Sequence, residues 1–150
     1  MFLAKKIKIV SVISVMIFAM ACKKNSTTQS NTNNIVPYVP VNVTIYPGDP
    51  QYFKIQTAGG WIYYNTAGVN GIIIYRKTPT EFVTIERTST YLPNDAAALA
   101  KVQSDNFTLK DTVSGSKWQI IDGAVTNGPA TYALKRYQNT YDGNALKITN

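Results

Sequence analysis

The chain has 150 residues, with fifteen Lys and Arg against eight Asp and Glu, a formal charge of +7, no histidine and one cysteine. That composition excludes intrachain disulfides and any site needing imidazole or two thiolates. Five of the bases, Lys5, Lys6, Lys8, Lys23 and Lys24, precede residue 35, which leaves ten bases against eight acids over residues 35–150. A balance so near neutral, with basic pairs only at Arg76-Lys77 and Lys135-Arg136, argues against a nucleic-acid partner.

In chain order, Lys5, Lys6 and Lys8 form a positive start, and Ile7 to Ala21 is apolar apart from Lys8, Ser11 and Ser14. The run is short for a membrane span, which needs about 20 apolar residues, and has the size and flanks of a signal peptide. It ends in Ala19-Met20-Ala21-Cys22, small residues before a cysteine, in the manner of a bacterial lipobox, with Ala19 where leucine is commoner. Ordinary secretory cleavage would also accept Ala19-x-Ala21. Lipidation is favoured because Cys22 is the sole cysteine and Lys23 to Asn34 follows it with no apolar residue, as a tether should. The expected division is a signal peptide over 1–21, a lipidated Cys22 with polar tether over 22–34, and one folded domain over 35–150. The expected address is the cell membrane or outer membrane, lipid-anchored and facing the periplasm.

The folded part reads as all-β. Val41, Val43 and Ile45 alternate with polar residues, and Pro47-Gly48-Asp49-Pro50 closes that strand. Gln51 to Gln56 alternates again, and Ala58-Gly59-Gly60 turns into Trp61 to Tyr64. Ile72-Ile73-Ile74-Tyr75-Arg76 is a continuous apolar run suited to a strand buried on both faces. Glu81 to Arg87 alternates, and later strands are expected at Phe107 to Lys110, Lys117 to Ile121, Thr131 to Gln138 and Ala145 to Thr149. Asn94 to Ala100 has an N-cap and helix formers but allows at most a helical turn, because Leu99 to Val102 reads equally well as a hairpin with Phe107 to Lys110. Short strands at turn-limited spacing imply a sandwich or small barrel.

Several local features invite chemical readings, and each has a plainer one. Ser114-Gly115-Ser116 lacks a histidine base and reads as a turn. Asp111 and Asp122 could imitate paired carboxylates, but Asp122-Gly123 is an ordinary turn. Trp61, Tyr63, Tyr64 and Tyr75 could form an aromatic platform, although aromatic residues simply favour strands. Gly59-Gly60 and Gly68-x-x-Gly71 precede no helix and are no phosphate fingerprint. No enzyme class is supported.

Taken in order, Val36 to Val41, Gly71 to Tyr75, Glu86 to Tyr91, Asp111 to Trp118, Asp122-Gly123 and Gly128-Pro129-Ala130 resemble the Rieske-type [2Fe–2S] ferredoxin-like domain of small Bacteroidetes lipoproteins. The resemblance implies a Rieske-like β-sandwich or small barrel with a small three-stranded cap carrying two loops. In that family one loop supplies Cys-x-His and the other Cys-x-x-His, two thiolates to one iron and two imidazoles to the other. Position by position, those ligands fall here on Ser89 and Tyr91, and on Asp111 and Ser114. None is a Cys or His, and no shift of register can supply a histidine to a chain that has none. The implied site is therefore degenerate, with no cofactor expected, and Tyr91 is expected to occupy the vacated cluster volume. Two functions follow: a non-redox binding module with an envelope protein or small ligand as partner, or an electron-transfer accessory that uses another centre.

Overall fold

The computed structural model describes residues 35–150; the signal peptide, Cys22 and the tether read from the sequence lie outside them. The domain is all-β, as expected, with ten strands in three antiparallel sheets. The first sheet has the order β1-β10-β9, built from β1 (Asn42–Ile45), β10 (Leu146–Thr149) and β9 (Gln138–Tyr141). The second is β2-β3-β4, from β2 (Trp61–Tyr64), β3 (Ile72–Arg76) and β4 (Phe82–Glu86). The third is a meander of β5 (Ala100–Val102), β6 (Thr108–Asp111), β7 (Lys117–Gln119) and β8 (Val125–Asn127).

The middle sheet explains the continuous apolar run. Ile72 and Ile74 enter one core with Val41, Ile45, Ile55, Phe82, Tyr137, Leu146 and Ile148. Ile73, between them, enters a second core with Val83, Ile85, Ala100, Leu109, Trp118, Ile120, Ala130 and Leu134. Successive strand residues point to opposite faces, so a strand covered on both sides must be apolar at every position. Each of these isoleucines is fully buried, worth about 1.5–3 kcal/mol against exposure. The domain is thus three β layers with two cores, and both cores close within residues 35–150.

Three local expectations are corrected, and one open alternative is decided. Gln51 to Gln56 is not a strand: Pro50–Ile55 forms a 3₁₀ segment after Asp49. The fixed φ and missing N–H of Pro50 suit a first helical turn, and Ile55 is the one side chain the segment buries. Thr131 to Gln138 is extended but not a regular strand, bonding to β4 through Tyr137 N–H to Thr84 O and Glu86 N–H to Lys135 O, both 2.9 Å. The strand proper is β9, which begins at Gln138. Asn94 to Ala98 is a chain of turns in which Asp95 accepts the Ala97 and Ala98 N–H groups, so the hairpin alternative for β5 and β6 holds. The small sheet has four strands rather than three, because the Asp122-Gly123 turn carries the chain back as β8.

Candidate functional site

Three loops converge beside the open end of the four-stranded sheet. The first leaves β4. Ala100 N–H donates to Arg87 O at 2.7 Å and Ser89 N–H to Ala98 O at 2.9 Å, which closes residues 90–97 into a loop. The second joins β6 to β7. Asp111 N–H donates to Ser116 O at 3.0 Å and Gly115 N–H to Asp111 O at 2.8 Å, a tight reversal in which Gly115 takes a φ of +80°. The third runs from Gly128 to Tyr132. Its Tyr132 carbonyl accepts from the Thr90 hydroxyl at 2.7 Å and from the Trp118 indole at 3.1 Å, and its Ala130 N–H donates to Ser116 Oγ at 3.0 Å. Ser89 bonds to Ala98 and Asp111 pairs with Ala100, so the first two loops flank the start of β5.

The four positions singled out in the sequence divide into two pairs. Asp111 and Ser114 are brought together: Asp111 Oδ2 accepts the Ser114 hydroxyl at 2.6 Å, and Oδ1 accepts the Val113 N–H at 2.9 Å. The Ser114 and Ser116 hydroxyls lie 2.9 Å apart. Ser89 is fully buried, and its hydroxyl accepts the Tyr91 N–H at 3.3 Å. Among the described residues no hydrogen bond joins Ser89 or Tyr91 to Asp111 or Ser114. Tyr91 does not fill a vacated cavity: it is 47% exposed, because Thr90 is the side chain that turns inward to Tyr132.

These donors do not fit a Rieske cluster. The buried Asp111 carboxylate is occupied on both oxygens by its own loop, Tyr91 faces solvent, and serine hydroxyls are poor ligands for iron. Among the described residues no three Asp, Glu, Cys or His side chains come together. The other chemical readings also resolve locally. Asp122 accepts from Ala124 N–H and the Gln119 amide within its hairpin and makes no pair with Asp111. Trp61 donates to Asn106, the Tyr63 hydroxyl accepts the Val102 N–H at 2.9 Å, and Arg87 stacks 4.0 Å over the Tyr63 ring. Packing accounts for these aromatics.

Sequence reasoning missed the most elaborate polar cluster. Glu86, fully buried, accepts five hydrogen bonds: Val69 N–H at 2.8 Å, Asn70 N–H at 3.1 Å, Thr88 N–H at 3.0 Å, Thr88 Oγ1 at 2.8 Å and Tyr137 OH at 2.6 Å. The only ion pair among the described residues is Lys77–Glu81, so hydrogen bonds alone hold this carboxylate. Burial, and then the bond and charge of Glu86, push the Tyr137 phenol far above its ordinary value. Gly68, at φ +82°, lets the loop close on it, since a Cβ there would meet Glu86 Oε2 at 2.5 Å. An acid at the end of a strand buried at every position, with Gly68-x-x-Gly71 upstream, was the available signal.

No family model matches the sequence, and no curated protein matches it. Two of the solved structures similar to it are ferredoxin-containing. The ferredoxin of carbazole 1,9a-dioxygenase from Nocardioides aromaticivorans IC177 is 14% identical, with a TM-score of 0.46 over 74% of this chain and 97% of that one. A chain from the complex of reduced oxygenase and oxidized ferredoxin in carbazole 1,9a-dioxygenase is 18% identical, with a TM-score of 0.44 over 61% of this chain and 82% of that one.

Proposed function

We propose that residues 35–150 form a Rieske-like scaffold without an iron–sulfur cluster, acting as a non-catalytic binding or interaction module in the cell envelope. Lipid on Cys22 holds it to the membrane, with the domain facing the periplasm. The observation that carries this reading is the closed second loop: Asp111, at a position where the resemblance expects a thiolate, spends both carboxylate oxygens on Val113 and Ser114. A buried carboxylate bonded on both oxygens within its own loop is engaged in closing that loop, and a fold without its site does not bring the function with it. The absence of histidine from the whole sequence supports the same conclusion.

Iron and acid-labile sulfide analysis, with a visible spectrum of the purified domain, tests the reading. A colourless, iron-free protein is expected. Stoichiometric iron with visible absorption would overturn it in favour of electron transfer. The anchor is tested separately, by the mass of the N-terminal peptide isolated from membranes, which should carry acyl chains on Cys22.

A further inference from the structure

The register of the four-stranded sheet places Lys101 opposite Lys110 and Lys110 opposite Lys117. Directly opposed residues share a face, and the other face, with Leu109 and Trp118, is buried in the second core. The three lysines therefore form one row across adjacent strands on the outer face, Lys101 and Lys117 exposed and Lys110 half-buried. At the usual strand separation the row is roughly 10 Å long. None of the three makes an ion pair.

Like charges directly opposed destabilise a sheet, so the row has a cost. Lysine is commonly placed on edge strands to prevent aggregation, but β6 and β7 are the inner strands of this sheet. Edge protection therefore leaves Lys110 and Lys117 unexplained.

The surroundings indicate what the row meets. Lys110 and Lys117 adjoin the two ends of the second loop. Of the acids nearby, Asp111 turns inward, Asp105 and Asp122 sit in the turns at the far end, bonded to Thr108 and Gln119, and the first loop carries one exposed acid, Asp95, which accepts the Ala97 N–H. At the basic end the three converging loops each expose one large side chain, Tyr91, Val113 and Tyr132. Tyrosine beside lysine suits the boundary between headgroups and acyl chains. Twelve residues separate Cys22 from Ile35, which limits the distance from anchor to domain to about 45 Å.

We infer that the row Lys101-Lys110-Lys117, with Tyr91, Val113 and Tyr132, docks on the anionic headgroups of a phospholipid bilayer. The choice of occupant rests on the proposed anchoring through Cys22; the basic row itself does not. Surface potential supplies the attraction, and the exposed rings settle at the interface.

Residues 35–150 contain both cores and can be tested without the lipid. The probes are vesicles of phosphatidylcholine alone and of equimolar phosphatidylcholine and phosphatidylglycerol. Sedimentation with the anionic vesicles only, lost in high salt, is expected. Each Lys→Gln change in the row should lower the partition about fivefold, and K101Q/K110Q/K117Q about a hundredfold. The triple variant should melt no lower than the parent, since opposed like charges have gone. Lys77→Gln, outside the row, should bind as the parent does.

Equal binding to both vesicles, binding to neither, or full binding by the triple variant would overturn the inference. Failure on vesicles with lysine-dependent binding of polyglutamate would also overturn it, and assign the row to an acidic protein. An unmodified Cys22 alongside intact vesicle binding would remove the anchor and leave the docking face standing. A lipidated Cys22 with no vesicle binding would do the reverse.

Discussion

The Tyr137 hydroxyl donates to Glu86 Oε2 at 2.6 Å across 51 residues of sequence, tying the segment before β9 to the last residue of β4. The same carboxylate holds Val69, Asn70 and Thr88, so one charge organises three stretches of chain. Tyr137→Phe removes a single bond to a charged acceptor and should cost about 1.5–3 kcal/mol in urea denaturation. Glu86→Gln removes the charge and puts an amide NH2 where one oxygen accepts two or three of the five bonds, and should cost more, about 3–5 kcal/mol, the range for breaking a buried charged arrangement. Equal losses in the two variants would show that the cradle acts only through Tyr137.

The raised phenol makes stability depend on alkaline pH. A folded-state value above the unfolded one means that the folded protein holds the proton more tightly. The contribution is therefore complete below the unfolded value, about 10, and declines as pH rises above it. The decline should approach about 1.4 kcal/mol per pH unit from this group. Denaturation curves from pH 9 upward should show it, and Tyr137→Phe should lack that component. A parent protein no more sensitive than the variant would contradict the linkage.

Gly68 should not tolerate alanine. The φ of +82° alone makes a non-glycine residue costly by about 1–3 kcal/mol, and the added Cβ would also press on Glu86 Oε2. Thermal melts of Gly68→Ala and of Gly48→Ala, where nothing lies within 4 Å of the added carbon, make a matched pair. Only the first should be strongly destabilised.

The paired loops give opposite expectations for two of the positions singled out. Asp111→Asn should cost about 1.5–3 kcal/mol by weakening the charged bonds to Val113 and Ser114. Tyr91→Ala should change stability by less than about 0.5 kcal/mol, as an exposed site does. A large loss at Tyr91 would restore the idea that its ring fills the old cluster volume.

Much of the layer arrangement was legible because it is written in local patterns. The unbroken Ile72-Ile73-Ile74 run announced a strand with two buried faces, and Ser114-Gly115-Ser116 announced a turn. Gln51 to Gln56 misled because alternation over six residues is also met by a short 3₁₀ segment with one buried side chain, and Pro50 settles the choice. β8 and β9 are short and largely polar, and owe their existence to neighbours rather than to their own composition. The Glu86 cradle was hidden for a different reason. Three of its five donors are backbone N–H groups, which every residue but proline carries, so nothing in the side chains of Val69 or Asn70 marks them. The outward turn of Tyr91 likewise depends on its neighbour Thr90 reaching a carbonyl 42 residues away.

Because β3 and β4 line both cores, the two cores share one wall. Opening one strips cover from a sheet the other needs, so the layers should come apart together rather than in stages. Amide exchange would express this as one shared opening energy for Ile73 and Ile74, whose side chains point into different cores. The three loops are tied to the same framework, since the Tyr132 carbonyl bonds Thr90 and Trp118 and the Ala130 N–H bonds Ser116.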